Sequence, residues 1–257
     1  MFARPDVDDL GAHVPLPSLV RRVVSLVPSL TESVAASADG LLVGATDWCK
    51  HPAGLDVVRV RGTKNPDVAG VLALRPDLVL ANVEENREAD VVALRAAGVP
   101  VWVSDVRDVE SALTSLGRML AACGLDRPAW LDAAAAGWDG VEPLAPRRRA
   151  LVPIWRRPWM ALGRDTFAGD VLRRLGVDNV LAGNAERYPK VDLRALPEHD
   201  VVVLPDEPYG FSPADGPEAF SGLACACVSG RHLTWYGPSL VEAPGLLLRE
   251  LSQATQA

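Results

Sequence analysis

The apolar positions of this chain change their period several times. Residues 22–27 form a β-branched run that stops at Pro28, and residues 42–45 form a second short apolar run. Residues 77–83, reading DLVLANV, are apolar almost throughout, as in a strand buried on both faces. Residues 99–103 repeat that pattern. The intervening segments carry helix signals. Ser29-Leu30-Thr31-Glu32 has the form of a capping box and predicts a helix opening on Ser29. Asn65-Pro66-Asp67 predicts another, with Asn65 as N-cap and Pro66 at the first helical position. Residues 90–97 predict a third, closed by Gly98. Strand and helix alternating in this rhythm predict a parallel sheet covered on both sides.

The middle of the chain differs. Val109, Ala112, Leu113, Leu116, Met119, Leu120 and Cys123 recur at helical spacing and predict one helix over 108–123, with Gly124 beyond its end. A further helix starts after Pro128. The strand–helix pattern then returns: a strand over 150–155, a helix capped by Asp165-Thr166 and ending at Gly176, and a buried strand over 200–204. The fold class expected is α/β, two Rossmann-like lobes with mostly parallel sheets joined by a long spanning helix. The divisions are 1–107 for an N-terminal lobe, 108–146 for the spanning helical region and 147–257 for a C-terminal lobe. Two lobes imply a cleft, where ligands commonly bind.

Ligands of open α/β sheets sit beyond the carboxyl ends of the strands, so the residues that follow each strand carry the chemistry. Only 5% of the chain is aromatic, yet Trp48, Trp155, Trp159, Tyr188, Tyr209, Trp235 and Tyr236 all fall there. Arg156, Arg157, Arg187 and Arg231 lie beside them. Aromatic faces with adjacent cations suit a large, flat, partly anionic ligand; the alternative is that these rings only pack loops. The ligand-contacting set expected is Ser29, Trp48, Lys64, Glu84, Trp155, Arg157, Tyr188, Tyr209, Arg231, Trp235 and Tyr236. Trp48, Trp155 and Trp235 are expected to line the cleft. His51, two residues from Cys49, is the one candidate metal ligand. Neighbouring Glu84 and Glu85 diverge on a strand end and make no acid–base pair. With no phosphate-binding glycine motif and no nucleophile elbow, no catalytic residue is assigned and no cofactor is required.

The 257 residues are 49% hydrophobic and 23% charged, which excludes a disordered chain. A net charge of −7 argues against nucleic acid as partner. No apolar run reaches the length of a membrane span. Four cysteines make no disulfide framework, and Cys225-x-Cys227 lacks a second pair for zinc. The amino terminus has three Asp and a Pro in its first nine residues, unlike a secretory leader. A cytoplasmic location is therefore expected.

Several stretches, spread over nearly the whole chain, resemble a known family. Asp9-Leu10-Gly11, Val14-Pro15-Leu16-Pro17 and the run from Arg22 to Glu32 look like the opening of the helical-backbone periplasmic-binding proteins. These serve importers of cobalamin, haem and iron–siderophores. Gly62 to Asp67, Leu74 to Ala81, Thr166-Phe167, Leu175-Gly176 and Asp178-Asn179 continue the likeness in order. The resemblance implies two α/β lobes, a spanning helix, a rigid cleft and no catalysis, with the cobalamin branch most similar. It also implies a docking glutamate on each lobe, at positions that fall on Ala69 and Arg173; neither supplies a carboxylate, which speaks against transporter docking. The reading is thus a non-catalytic binder of a metal-containing tetrapyrrole or similar chelate, cobalamin first and a haem-like chelate next, acting in the cytoplasm. Its alternatives are an importer's substrate-binding component and a chelatase-like enzyme. Because a spanning helix resists hinge bending, small-angle scattering profiles of the free and ligand-bound protein are expected to superimpose; a large domain closure would contradict this.

Overall fold

The computed structural model describes residues 4–256. The chain forms two compact units. One comprises the residues up to Asp105 with Ala112–Asp132 and Tyr236–Pro238; the other comprises Val106–Ser111, Ala133–Trp235 and the residues from Ser239.

The first unit contains, in chain order, β1 (Val23–Ser25), α1 (Pro28–Ala35), β2 (Leu42–Ala45), β3 (Val58–Arg59), α2 (Val68–Ala73), β4 (Leu78–Asn82), α3 (Glu88–Ala96) and β5 (Val101–Ser104). Its sheet has the order β3-β2-β1-β4-β5, and every pairing is parallel. Val24, Val79, Ala81, Val101 and Val103 pack on one face with Val71 of α2 and Val91 and Leu94 of α3. The alternate residues Val23, Leu78, Leu80 and Trp102 are buried as well. The central strands β1, β4 and β5 are therefore buried on both faces, as their continuous hydrophobic runs require, while the edge strand β3 is exposed.

Two helices, α4 (Val109–Ala122) and α5 (Ala129–Asp139), follow. The first is the helix expected over 108–123, and Gly124 beyond it takes the left-handed φ of +82°. Its amino end is tied down twice. Asp108 Oδ1 accepts the Ser111 amide at 2.7 Å, and Ser111 Oγ accepts the Asp108 amide at 3.1 Å. Asp170 Oδ2 accepts the Val109 amide at 3.0 Å, satisfying one of the donors a helix start leaves open.

The second unit contributes β6 (Arg148–Leu151), β7 (Pro153–Trp155), β8 (Met160–Ala161), α6 (Phe167–Arg174), β9 (Val177–Asn179), β10 (Val201–Pro205), β11 (Ala224–Val228), α7 (Gly230–Thr234), α8 (Ala243–Ser252) and β12 (Thr255–Gln256). Its main sheet has the order β12-β11-β10-β6-β9, parallel except for β12 at the edge. Strands β7 and β8 form a separate antiparallel hairpin. Leu151, Val202, Leu204 and Cys225 share a core with Phe211 and Phe220. This is the α/β, mostly parallel architecture expected.

Local corrections follow from backbone geometry. α1 begins at Pro28, with extended Val27 as its N-cap and no side-chain cap; the proline ring, preset for the first helical position, displaces the expected capping box, and Ser29 falls inside the first turn. α2 begins at Val68 on Asp67, whose side chain accepts the Gly70 amide, while Pro66 pairs with Arg61 in an isolated bridge. The expected strand over 150–155 breaks after Leu151, where the chain leaves the sheet for the β7–β8 hairpin. Thr166 alone caps α6, accepting the Gly169 amide.

Asp170 is the electrostatic anchor of the second unit's helices. Burial pushes its pKa up, but the Val109 amide and the Arg174 and Arg173 guanidinium groups together hold it below the usual carboxylate value. A depressed folded pKa contributes stability above the unfolded value of about 3.9 and loses it as pH falls through the folded one. Asp170→Asn keeps an acceptor for Val109 and loses the charge, so it is expected to cost about 1–2 kcal/mol at pH 7. Urea denaturation at pH 7 and pH 3 should show the difference from wild type shrinking at the lower pH.

Candidate functional site

In the first sheet the chain steps from β1 to β2 on one side and later to β4 on the other, so the topological switch point lies at the carboxyl ends of β1 and β4. Asn82, the last residue of β4, organises that end. Its backbone amide donates to Asn86 Oδ1 at 2.9 Å, and its Oδ1 accepts the Glu85 amide at 2.7 Å. Its Nδ2 donates to the Tyr236 hydroxyl at 2.6 Å. Asn86 Nδ2 donates to the carbonyls of Leu26 and Thr63, fastening the turns after β1 and β3 to the turn after β4. Tyr236 is 5% exposed, and burial pushes its phenol pKa far up. Nearby, the Lys64 ammonium donates to the Glu84 carbonyl. Trp48, after β2, is 59% exposed. Its Nε1 lies 3.4 Å from where a Cβ on Gly62 would be, and the Lys50 ammonium sits 5.7 Å from its ring centre.

The second sheet switches at β6, with β9 on one side and β10 on the other. Here the strand ends are braced by carboxylates. Asp206 Oδ1 accepts the Gly230 amide at 2.6 Å, and Glu207 Oε2 accepts the Trp235 indole N–H at 3.0 Å. Gly230 is required by close approach: a Cβ there would stand 2.5 Å from the Glu207 amide nitrogen and 2.9 Å from its Cα. Within α7, buried His232 bridges Ser229 Oγ at 2.7 Å and Glu242 Oε1 at 2.9 Å. The hydrogen bond from His232 holds the Glu242 carboxyl below its usual range. Arg231 also reaches Glu242, at 3.6 Å.

The β7–β8 hairpin carries an aromatic platform. Trp155 is 43% exposed and meets Tyr209 edge-on at 5.7 Å. Tyr209 leans on Phe211, and Trp159 stacks on Phe211 at 6.0 Å. Arg156 lies 5.4 Å over Trp159 and pairs with both Asp215 and Glu218. Asp215 also accepts the Tyr209 hydroxyl at 2.7 Å. Arg187 lies over half-buried Tyr188.

The expected site residues therefore divide. Trp48, Lys64 and Glu84 come together at the first sheet's carboxyl end; in the second unit Trp155 ends β7, Arg231 lies in α7 with Trp235 at its C-cap, and Arg157, Tyr188 and Tyr209 lie on turns and bends. Tyr236 and Ser29 are corrected to core positions: Tyr236 spends its hydroxyl on Asn82, and Ser29, 3% exposed, is enclosed in the first turn of α1. For His51 as a metal ligand, no cluster of three His, Cys, Asp or Glu able to hold a metal occurs among the described residues. Sequence reasoning missed Asn82, Asn86, Glu207 and Glu242 as organisers. An Asn closing an otherwise apolar strand was the available signal for the first.

The periplasmic binding protein model of sequence families matches residues 23–204. The chain belongs to that family. The family is one of binding proteins, so the expectation of a non-enzyme stands on membership. Vitamin B12-binding protein of Vibrio parahaemolyticus is 24% identical over 197 residues, 72% of this chain and 70% of its own length. The Yersinia pestis protein of the same name is 26% identical over 66% of this chain and 63% of its own length. The solved periplasmic haem-binding protein BhuT, in complex with two haems, superimposes with a TM-score of 0.71 at 25% identity, covering 90% of this chain and 97% of that one. The cytoplasmic location expected from the amino terminus is thereby corrected: family and solved relative are periplasmic.

Two substitutions separate core from surface in this member of the family. Tyr236→Phe keeps the ring and strands Asn82, and is expected to cost about 1–2 kcal/mol in urea denaturation. Trp48→Ala is expected to stay within about 0.5 kcal/mol of wild type.

Proposed function

We propose that the protein is the substrate-binding component of an importer for a metal-containing tetrapyrrole, with cobalamin the first ligand to test and haem the second. The observation that carries this is family membership across residues 23–204 together with relatives named vitamin B12-binding proteins. Haem follows because BhuT, solved in complex with two haems, shares the fold at 25% identity. The surface chemistry agrees: Trp48 and Trp155 offer exposed indole faces at strand ends, with Lys50 and Arg157 beside them. Such faces suit stacking on a large conjugated ring. The ligand contacts proposed are Trp48, Lys64, Glu84, Trp155, Arg157, Tyr188, Tyr209, Arg231 and Trp235.

The importer role requires a permease contact that does not depend on carboxylates at Ala69 and Arg173. Ala69 is exposed on α2; Arg173 is exposed on α6, its guanidinium held by Asp170 at 2.5 Å. Direct binding to a reconstituted tetrapyrrole permease tests that step.

The ligand is tested by titrating cyanocobalamin and haem while following tryptophan fluorescence. Saturable quenching by at least one is expected. Trp48→Ala and Trp155→Ala are each expected to weaken binding by about 1–3 kcal/mol, a roughly five- to 150-fold loss. Absence of binding by both chelates would overturn the reading.

A further inference from the structure

Two adjacent arginines at the tip of the β7–β8 hairpin are treated in opposite ways. Arg156 is consumed locally, held by Asp215 and Glu218 and laid over Trp159. Arg157 is exposed, and among the described residues its guanidinium holds neither a carboxylate nor a carbonyl. The two carboxylates that hold its neighbour Arg156 are already engaged. Asp215 and Glu218 serve Arg156, Tyr209 and the Gly216 amide.

Arg157 also has a φ of +83°. A side-chain-bearing residue is costly in that left-handed region, and such outliers persist where the surrounding structure enforces them, often at ligand sites. Glycine would sit there without strain. An unrelieved cost, an unspent charge and an exposed indole two residues away coincide at one turn. The first unit repeats the arrangement in outline: exposed Arg61, φ +65°, precedes the Gly62 against which Trp48 rests.

We propose that Arg157 is a specificity-determining residue that reads an anionic oxygen substituent on a ligand whose flat face stacks on Trp155. The inference rests on the tetrapyrrole reading above and narrows it to acid-bearing members. Two sources supply that group: the carboxylates of haem, or the phosphodiester of cobalamin. A guanidinium meets either with a forked, charge-assisted pair of hydrogen bonds. No bond to a neutral amide or ester is as strong.

The test measures affinity for two pairs: haem against its dimethyl ester, and cyanocobalamin against dicyanocobinamide, which lacks the phosphodiester together with its ribose and benzimidazole, so that in the second pair only the part of the preference that Arg157→Gln removes is assigned to the anionic oxygen. In at least one pair the acid-bearing member is expected to bind about ten- to a hundredfold more tightly, and the pair that does so identifies the source. Arg157→Gln and Arg157→Gly are expected to erase that preference in the haem pair, or to shrink it in the cobalamin pair, while the neutral member keeps its affinity. Arg157→Lys is expected to restore part of it. In thermal unfolding, Arg157→Gly is expected to raise the midpoint, because glycine relieves the left-handed strain, so stability and affinity move in opposite directions. Equal affinities within both wild-type pairs, a preference that survives Arg157→Gly in full, or a midpoint that falls in that variant each overturn the proposal. Wild-type protein that binds none of the four compounds overturns the importer reading as well; binding without acid preference overturns this inference alone.

Discussion

A parallel sheet must be covered on both faces, and most of this structure follows from that. β4 buries all five of its residues and so does β10. Each fully buried Val or Leu contributes about 1.5–3 kcal/mol, and a polar side chain in mid-strand would forfeit that and need a partner. Polar chemistry is thereby pushed to the strand ends. Asn82 marks the limit: it is buried, but its amide side chain stands where β4 stops and meets three turns through its neighbours. On the second sheet Asp206 and Glu207 take the same place after β10.

Type alone does not tell what an aromatic or a cation does in this fold. Trp102 and Trp138 are fully buried, Trp138 with its N–H on the Leu240 carbonyl. Trp48 and Trp155 keep much of their surface in solvent. Arg118 lies over Trp102 and pairs with Asp9, and Arg95 pairs with buried Asp8; both fasten the amino-terminal segment. These contacts cost little to understand once partners are visible, since each guanidinium has an anion or a ring face opposite it.

The sheets and the helix α4 were legible because they write long, regular patterns: DLVLANV can only be a covered strand, and the stripe from Val109 to Cys123 keeps one face for four turns. Helix starts were less legible. Ser29 and Asn65 have the right chemistry for caps, yet Pro28 and Asp67 take the decisive positions, because a cap depends on backbone angles that neighbours set. Among the candidate site residues, exposed Trp48 just past β2 and Trp155 at the end of β7 are within reach of counting along the strands. Tyr236 could not: its partner Asn82 is 154 residues away in sequence, and no local pattern announces such a pairing. Location was misread for a different reason, since the acidic amino terminus carries no information about the family whose fold the rest encodes.

The tight fit at Gly230 has an evolutionary consequence. Any side chain there drives into the backbone of Glu207, so that position is closed to drift, and with it the juxtaposition of the β10 and β11 ends. The hairpin tip at 155–159 lies outside the main sheet, but the Trp159 carbonyl accepts the Val191 amide and the Trp159 ring packs on Phe211 and Phe220. Within that tip, exposed Trp155 and Arg157 can change without disturbing the sheet's register, whereas Arg156 and Trp159 are bound to Asp215, Glu218, Phe211 and Phe220 and are as constrained as the core they join.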